Sequence, residues 1–496
     1  MKLRELLRGV VVEGEIPEVD IAEVRDDSRA VGPGDLFVAQ RGLTVDGHDF
    51  VGAVLARGAA AALVETVDPA VGGLQLKTPS TAKALALVAA NRFGRPAEAM
   101  KLVGITGTNG KTTCTFLVES LLRHGGARPG VIGTVTYRYG EVSRPAPFTT
   151  PTPLELHATL DEMRRAGCTH VIMECSSHAL ASDRLHGLGF AVSAFTNLTQ
   201  DHLDFHGTMA QYAEAKARLF RELTVGSAVI LIDRPGGTAM AEAAGARARL
   251  VSATHRAEAL VSVVASRQTL AGLEAELSTA QGPMALMSPL IGDFNLENLV
   301  VAVGIGLELG LGPAAMSACL ATATGAPGRL ERVPAPFGIF VDYAHTPDAL
   351  IRVMATLRPL TDGRLIVVFG CGGDRDRTKR PIMGEAVGRD ADLAIVTSDN
   401  PRTEEPGSIL EMILEGVRRT SLPALTAAEL GTRRGYIAEV DRRRAIGLAV
   451  AAARPGDVLL IAGKGHEDYQ ILGKTKIHFD DREEAADACR QLAAKI

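Results

Sequence analysis

A glycine-rich loop followed by a lysine and two threonines is the part of the sequence that points most directly to chemistry. The loop follows the apolar stretch KLVGIT and precedes CTFLVESLLRHGG, whose apolar residues recur at helical spacing. Between a strand and a helix, such a loop can wrap backbone N–H groups around a phosphate. The lysine would reach the terminal phosphates, and the next threonine would ligate Mg²⁺. These residues are Gly107, Thr108, Asn109, Gly110, Lys111, Thr112 and Thr113.

The spacing of this loop leaves one alternative open. It reads G-x-x-G-K-T, which is shorter than the common phosphate loop, so a chance glycine turn is the competing interpretation.

A phosphate loop also needs an acid for its metal ion. Glu174 ends the apolar stretch HVIM, where such an acid would lie, although an acid facing water is the simpler reading.

A histidine and a lysine further along the chain are candidates for the same site. His202 stands between acids in TQDHLDFHG, and a lone histidine is more often structural. Lys216 falls inside the apolar stripe of a predicted helix, TMAQYAEAKARLFREL. Such a lysine either extends its ammonium to the surface or is a partly buried amine with a lowered pKa, able to become a carbamate. Together these residues indicate phosphoryl transfer with one or two Mg²⁺ ions, and the spacing leaves the acceptor open.

A second polar constellation follows the apolar residues 394–396 in AIVTSDNPRTEEP. An acid, an amide, a proline and an arginine stand in a row at Asp399, Asn400, Pro401 and Arg402. The proline restricts φ between the amide and the arginine. The pattern fits either a surface turn or a loop that binds something small and charged.

The elements that would position these residues form three blocks, 1–98, 99–333 and 334–496. The third block alternates predicted strands and helices, which favours βαβ units and a mostly parallel sheet. Its polar clusters, Asp342–His345, Gly370–Arg380, Asp399–Arg402 and Gly463–Glu467, follow the carboxyl ends of strands. Open α/β sheets bind ligands at that edge. The fold class is therefore α/β, and the row 399–402 lies where a site is expected.

Composition narrows the class of protein. At 496 residues, two to four domains are expected. A net charge of −5 gives no basic footprint for nucleic acid. The six cysteines show no C-x-x-C pair, which fits reduced thiols in a cytosol. No signal peptide and no run of 18 apolar residues is recognised, so we expect a cytoplasmic protein without a membrane span.

Several long motifs make the whole chain resemble the Mur ligase family. They are GITGTNGKTT, ECSSHALASDRLHG, NLTQDHLDFHG, YAEAKARLF, GDFNLENL, VDYAHTPDAL, GCGGDRDRTKRP, DNPRTEEP and GKGHEDYQ, in the family's order. The resemblance implies three domains: an N-terminal UDP-binding α/β domain, a central P-loop ATPase domain and a C-terminal Rossmann-like domain. Their expected limits are those of the three blocks.

The resemblance is strongest to the diaminopimelate-adding branch of the family. It implies that ATP phosphorylates the D-glutamate γ-carboxylate of UDP-N-acetylmuramoyl-L-Ala-D-Glu, and that an amine of meso-diaminopimelate attacks the acyl phosphate. Phosphate then leaves. The implied setting is cytoplasmic peptidoglycan synthesis for the cell wall, and the implied state is a monomer.

The resemblance also assigns roles to residues. It implies that Thr112 and Glu174 hold a first Mg²⁺, and that His202 and a carbamate on Lys216 hold or orient a second. Asn295 and Asn298 resemble adenine contacts, and Arg329 and Asp342 resemble contacts to phosphate and ribose. The UDP-muramyl-dipeptide would contact Ser28, Leu43, Thr44, Val45, Thr149, Thr150, Ser176, Ser182 and Arg184. Ser182 departs from the glutamine of close relatives.

The row 399–402 faces the incoming amino acid in this family. The resemblance implies that Arg402 binds the distal carboxylate of diaminopimelate, which L-lysine lacks. Arg375, Asp399, Asn400, Pro401, Gly463 and Glu467 would complete the pocket. Three alternatives remain at this point: a lysine-adding ligase, a folylpolyglutamate synthetase, and a nucleotide-hydrolysing scaffold that forms no bond.

Overall fold

Three larger β-sheets lie in three successive stretches of the chain, and a two-stranded hairpin sheet follows the third in the described residues. The computed structural model describes residues 1–42 and 45–494. These residues divide into two compact units. The first unit comprises 1–264, 277–284 and 297–319, and the second comprises 265–276, 285–296 and 320–496. The α/β class predicted from the alternating pattern is confirmed.

The N-terminal stretch folds into a four-stranded parallel sheet in the order β1-β2-β3-β4. Both faces of this sheet are covered by apolar side chains, as expected for parallel strands. The strands are β1 (Val24–Arg25), β2 (Leu36–Val38), β3 (Ala61–Val64) and β4 (Gln75–Lys77). The helices are α1 (Leu3–Leu6), α2 (Val51–Ala56) and α3 (Thr81–Arg92).

The central stretch contains an eleven-stranded sheet in the order β15-β14-β13-β12-β11-β10-β5-β9-β6-β7-β8. Its middle, β11-β10-β5-β9-β6, is parallel, so these strands end at one edge. The strands are β5 (Lys101–Thr106), β6 (Pro129–Ile132), β7 (Thr136–Tyr139), β8 (Val142–Pro145), β9 (His170–Glu174), β10 (Phe190–Phe195), β11 (Thr224–Leu231), β12 (Ala248–Ser252), β13 (Val261–Thr269), β14 (Gly272–Thr279) and β15 (Gly282–Ser288).

Eight helices accompany these central strands in the described part of the chain. They are α4 (Lys111–His124), α5 (Pro153–Arg165), α6 (Ser177–Ala181), α7 (Leu203–His206), α8 (Met209–Arg218), α9 (Gly237–Ala244), α10 (Asp293–Glu308) and α11 (Pro313–Leu320). Helix α4 carries its apolar residues on the buried side, as the helical spacing predicts.

The C-terminal stretch forms a six-stranded sheet in the order β16-β17-β21-β18-β19-β20, parallel except for β16. The strands are β16 (Glu331–Val333), β17 (Gly338–Asp342), β18 (Leu365–Phe369), β19 (Leu393–Val396), β20 (Gly435–Ala438) and β21 (Val458–Ala462), followed by a hairpin of β22 (Tyr469–Leu472) and β23 (Thr475–His478). The helices are α12 (Pro347–Leu357), α13 (Lys379–Asp390), α14 (Pro406–Val417), α15 (Arg442–Ala452) and α16 (Asp481–Ala493).

The predicted alternation in this stretch is confirmed, and the elements that it missed are β20, the hairpin and α16. Because β17, β21, β18 and β19 are parallel, the polar clusters after them meet at one edge of the sheet. As for membranes, none of the helices in the described residues is long and apolar enough to cross one.

Candidate active site

The glycine-rich loop joins the buried strand β5 to the N-terminus of α4, as predicted. Two of its residues must be glycine. Gly107 has φ +147, and a Cβ there would lie 1.9 Å from Thr196 Oγ1. Gly110 has φ +87, and a Cβ there would lie 2.3 Å from Asn298 Oδ1. The loop therefore follows a tight path that leaves backbone N–H groups at the helix N-terminus, the arrangement that binds phosphate.

Two lysines meet at one carbonyl of this loop. Lys111 Nζ donates to the carbonyls of Gly107 and Thr108, each at 2.8 Å. Lys216 Nζ, on α8, donates to the same Gly107 carbonyl at 3.0 Å. The Lys216 side chain is 1% exposed, so it does not extend to the surface. Burial, and secondarily the charge of Lys111, hold the pKa of Lys216 well below its usual value.

Glu174 lies buried at the end of β9 instead of facing water. Its Oε2 accepts hydrogen bonds from Thr112 Oγ1 at 3.1 Å and Thr134 Oγ1 at 2.9 Å. Thr134 N donates to Oε1 at 2.9 Å, and the Thr134 and Thr149 hydroxyls are 3.2 Å apart. The Thr112 hydroxyl and the Glu174 carboxylate are thus adjacent oxygen ligands, the type that Mg²⁺ prefers. The residues present fit this ion.

Predicted substrate residues surround the backbone of Glu174. Thr150 Oγ1 donates to the Glu174 carbonyl at 2.7 Å and lies 3.1 Å from Ser176 Oγ. Arg184 Nη1 donates to the Thr150 carbonyl at 3.1 Å, and burial lowers the pKa of this guanidinium. Three separate segments therefore bring Thr149, Thr150, Ser176 and Arg184 together beside the phosphate loop.

His202 lies in the same region but is exposed. Its ring packs edge-on against His178, with centroids 4.7 Å apart, and its Nε2 is 3.4 Å from Asp201 Oδ2. In residues 1–42 and 45–494, no group of three His, Cys, Asp or Glu side chains is arranged to hold a metal ion. The structure therefore joins Thr112 with Glu174 and Lys216 with the loop, and places His202 beside His178.

Tyr212 connects these parts and was missed by the sequence analysis. Its hydroxyl is 3.1 Å from Thr108 Oγ1, and its ring lies under Lys216 Nζ at 4.3 Å and near His202 at 6.4 Å. On α8 it belongs to the apolar stripe, so its position in the sequence indicates only a core residue. No local signal distinguishes it.

The predicted nucleotide contacts are divided between the units. In the first unit, Asn298 Oδ1 lies against Gly110 and accepts a weak bond from Cys114 Sγ at 3.6 Å. In the second unit, Asp342 is buried at the end of β17, and burial raises its pKa. Arg329 lies 4.8 Å from the centre of the Tyr343 ring.

Other predicted residues are less informative. Asn295 is buried and donates from Nδ2 to the Ile291 carbonyl at 2.8 Å. Ser28 begins a short 3₁₀ turn capped by Asp27. Leu43 and Thr44 lie outside the described residues, and Val45 is exposed. Ser182 is exposed and donates to the His178 carbonyl at 2.7 Å.

The row 399–402 is mostly buried and does not form an exposed surface turn. Asn400 is 2% exposed, and its Nδ2 donates to Glu467 Oε2 at 2.8 Å. Arg402 adopts φ +51, and its Nη1 donates to the Gly373 carbonyl at 2.6 Å. A Cβ at Gly373 would lie 1.8 Å from the Pro401 carbonyl oxygen, so the two loops touch here.

The remaining residues predicted to contact the amino acid lie beside this row. Gly463 has φ +118 and donates to the Asp342 carbonyl at 3.0 Å. A Cβ at Gly463 would lie 3.8 Å from Asp399 Cγ. A Cβ at Gly372 would lie 3.0 Å from Arg402 Nη1 and 3.6 Å from Arg375 Cγ, so both arginines flank that glycine.

Two buried cations support this pocket and were missed by the sequence analysis. Lys464 is fully buried, with Nζ 3.1 Å from Asn400 Oδ1. Arg442 is also buried and forms a bidentate pair with Asp481, with both distances 2.7 Å. Lys464 follows a strand-end glycine, which is the one sequence signal that marks it. Arg442 stands in a run of three arginines that indicates a solvated helix face.

Three family models match successive parts of the chain, and together they cover most of it. The model described as "Mur ligase family, catalytic domain" matches residues 20–93. "Mur ligase middle domain" matches 105–306, and "Mur ligase, glutamate ligase domain" matches 328–465. Their order gives an N-terminal, a middle ATP-binding and a C-terminal domain.

Individual relatives match over the whole length. The UDP-N-acetylmuramoyl-L-alanyl-D-glutamate–2,6-diaminopimelate ligase of Geobacter metallireducens is 46% identical, covering 100% of this chain and 99% of its own. The enzyme of that name from Gloeobacter violaceus is 45% identical, covering 98% of each. A solved structure with that name has a TM-score of 0.73 and 33% identity, covering 99% of each chain. With the glycine-rich loop between β5 and α4, the polar clusters at one edge of the C-terminal sheet and this full-length similarity, the chain belongs to the Mur ligase family.

Proposed function

We propose that this ATP-dependent amide ligase joins meso-diaminopimelate to the D-glutamate γ-carboxylate of UDP-N-acetylmuramoyl-L-alanyl-D-glutamate. Its full-length relatives carry the name of that reaction. The expected setting is the cytoplasmic synthesis of peptidoglycan precursors by a monomer. The expected domain limits are 1–98, 99–333 and 334–496.

The observation that carries the choice of amino acid is an arginine beside two acids. Burial and then Asp399 raise the pKa of Glu467, and the charge of Arg402 is among the influences that oppose this rise. A guanidinium offers a bidentate partner to a carboxylate, and the acids offer partners to an ammonium. The distal end of diaminopimelate carries both groups. L-Lysine has the ammonium alone and would leave Arg402 without a partner in a desolvated pocket.

The phosphate loop would hold ATP through the N–H groups at the N-terminus of α4. Lys111 would neutralise charge on the γ-phosphoryl group as it moves to the D-glutamyl carboxylate. This transfer yields an acyl phosphate and ADP, and converts a poor electrophile into one with a good leaving group. The amine of diaminopimelate then attacks the acyl carbon. Phosphate and a proton leave, and an amide remains.

Thr112 and Glu174 would hold Mg²⁺, which when bound supplies charge neutralisation for the transfer. His202 and a carbamate of Lys216 would hold or orient a second ion. The low pKa of Lys216 supports this role because a neutral amine can add to CO₂, lose a proton and become a carbamate anion. Such a carbamate would carry a negative charge next to the loop.

The remaining predicted contacts belong to the same proposal. Asn295 and Asn298 would contact adenine, and Arg329 and Asp342 would contact phosphate and ribose. Thr149, Thr150, Ser176, Ser182 and Arg184 would hold the muramyl-dipeptide, and Ser28 and Val45, with Leu43 and Thr44, would bind the uridine nucleotide. Arg375, Asp399, Asn400, Pro401, Gly463 and Glu467 would surround the amino acid with Arg402.

The test is ADP release with UDP-muramyl-L-Ala-D-Glu, ATP and Mg²⁺, in parallel with meso-diaminopimelate or L-lysine. We expect release with diaminopimelate only. Arg402→Ala should lower kcat/KM for diaminopimelate by about a hundredfold, because a charge-assisted bidentate contact is lost. Arg389→Ala, an exposed arginine of the same unit, is the matched control and should keep the rate. Equal rates with lysine would overturn the role of Arg402, and release that ignores both amino acids would overturn the ligase.

The folylpolyglutamate alternative has less support. The model for the N-terminal Mur ligase domain matches residues 20–93, and the full-length relatives named above are diaminopimelate ligases. A folate substrate in place of the UDP-dipeptide in the same assay distinguishes the two enzymes.

A further inference from the structure

The amino-acid pocket contains a buried cation that substrate does not need to touch. Lys464 follows β21 and is 0% exposed. Its Nζ lies 3.1 Å from Asn400 Oδ1, 3.4 Å from Asp399 Oδ1 and 3.7 Å from Glu467 Oε2. One ammonium therefore contacts the amide and both acids of the pocket, which come from two separate loops.

The charges of this group do not cancel. Two carboxylates face one ammonium, so the acid pair with Lys464 keeps a single net negative charge beside Arg402. Lys464 contacts one oxygen of Asp399 and one oxygen of Glu467, and Asn400 donates to that same Glu467 oxygen. The two acids also disturb each other. Asp399 raises the pKa of Glu467 after the larger effect of burial, and Lys464 opposes that rise.

We propose that Lys464 is a specificity-determining residue that sets the charge of the amino-acid pocket. By neutralising one of the two acids, it leaves one negative charge for one ammonium, while Arg402 provides one positive charge for one carboxylate. The pocket then matches the zwitterionic end of an α-amino acid. This inference rests on the proposed function and adds the residue that balances the two recognition charges.

Removal of the Lys464 charge should change selectivity and not merely activity. Without it, the acid pair carries up to two negative charges, which attract a ligand ending in an ammonium alone and repel one that adds a carboxylate. Unit charges a few ångströms apart at a partly shielded site interact strongly enough to change a binding ratio by about tenfold. A purely structural role predicts equal losses for both amino acids.

An internal competition measures this ratio directly. Wild type and Lys464→Met receive UDP-muramyl-L-Ala-D-Glu, ATP, Mg²⁺, meso-diaminopimelate and excess L-lysine, and mass spectrometry counts the two products. We expect the preference for diaminopimelate to fall by about tenfold in Lys464→Met. Adding Glu467→Gln restores a single negative charge and should return the preference toward wild type. Lys476→Met, an exposed lysine of the neighbouring hairpin, should leave it unchanged.

The product ratio is independent of the amount of folded enzyme. An unchanged ratio in Lys464→Met would overturn the proposal, and so would a double variant no closer to wild type than the single one. If Lys464→Met does not fold, Glu467→Gln alone tests whether the net charge of Asp399, Glu467 and Lys464 sets the selectivity. It should let 2-aminopimelate, which lacks the distal ammonium, compete about tenfold better against diaminopimelate, and an unchanged competition would overturn the proposal. Failure of the proposed function looks different, because wild type would then join neither amino acid or would join lysine as readily as diaminopimelate.

Discussion

At the scale of single residues, the phosphate loop places two lysines in very different conditions. Lys111 lies at the N-terminus of α4, where ATP phosphate is expected, and is partly exposed. Lys216 is enclosed under the same Gly107 carbonyl, against the face of Tyr212. Burial opposes the charged form of an amine. Lys216 is therefore suited to be neutral and open to chemical conversion, whereas Lys111 lies partly exposed at the start of the helix.

Lys216→Met should remove most activity and also change how stability depends on pH. The ordinary pKa of lysine is 10.5, and the folded value is lower. Between these two values the unfolded chain binds more protons, so this lysine makes wild-type stability rise with pH. The Met variant lacks that slope, so its stability relative to wild type should decline as the pH rises towards 10.5. We expect about a hundredfold loss of rate.

Urea unfolding at several pH values, monitored by circular dichroism, checks the slope. Lys83→Met, an exposed lysine on α3, is the control and should follow wild type. Parallel stability curves for wild type and Lys216→Met would contradict the low pKa of Lys216.

At the scale of elements, an ion pair between the first residues of two helices contacts the backbone at the ends of two strands. Arg442 begins α15 and Asp481 begins α16, and both side chains are fully buried. The Arg442 guanidinium also donates to the Ser398 carbonyl at 3.2 Å and the Ala462 carbonyl at 3.0 Å. The residues after these carbonyls, Asp399 and Gly463, belong to the proposed amino-acid pocket. One ion pair thus connects two helices to the loops that follow β19 and β21.

Arg442→Met should destabilise the second unit by about 3–5 kcal/mol, because it leaves the Asp481 carboxylate buried without its partner. Arg442→Met with Asp481→Leu should recover most of that loss, yet raise KM for the amino acid more than KM for ATP, since the two strand ends are no longer held. Arg443→Met breaks an exposed pair between the same helices and should cost less than about 1 kcal/mol. Equal costs for the buried and the exposed arginine would contradict this account.

At the scale of the whole molecule, each unit has its own apolar core. The four-stranded and eleven-stranded sheets supply the buried clusters of the first unit. The two faces of the six-stranded sheet supply those of the second. Units with separate cores need not unfold together. Calorimetry should therefore resolve more than one transition, and substitutions in one unit should shift one of them.

His157→Leu should make the first unit resistant to acid. The imidazole is buried on α5, and neither ring nitrogen has a hydrogen-bond partner among the described residues. Burial lowers its pKa from 6.5 to about 4. As the pH falls, His157 is therefore protonated in the unfolded chain before it is protonated in the folded chain. About 3 kcal/mol of stability is lost as the pH falls from 6.5 to about 4. The leucine variant should keep that stability.

Scanning calorimetry at about pH 7.5 and 5 tests this prediction. One transition should move down in wild type and much less in His157→Leu, while the Arg442→Met substitution moves another. His255→Gln, at an exposed histidine of the first unit, should behave as wild type. Equal acid shifts in wild type and His157→Leu would contradict the assignment.

Much of this protein's fold could be predicted from local sequence patterns. Strand-then-helix periodicity around residues 101–124 predicted the phosphate loop, because a loop of this kind depends on a few neighbouring residues. Lys216 stood out for the same reason, as a charge within an apolar stripe. The parallel C-terminal sheet also followed from sequence, and it implied that the clusters after its strands share an edge.

Only the tertiary structure decided which distant groups neutralise each other. Lys464 and Asp399 are 65 residues apart and meet at 3.4 Å, and Arg442 meets Asp481 across 39 residues. Nothing near Tyr212 in sequence reveals its contact with Thr108, which is 104 residues away. Charge balance and desolvation depend on every group within a few ångströms, and the folded chain, not the order of residues, determines which groups those are.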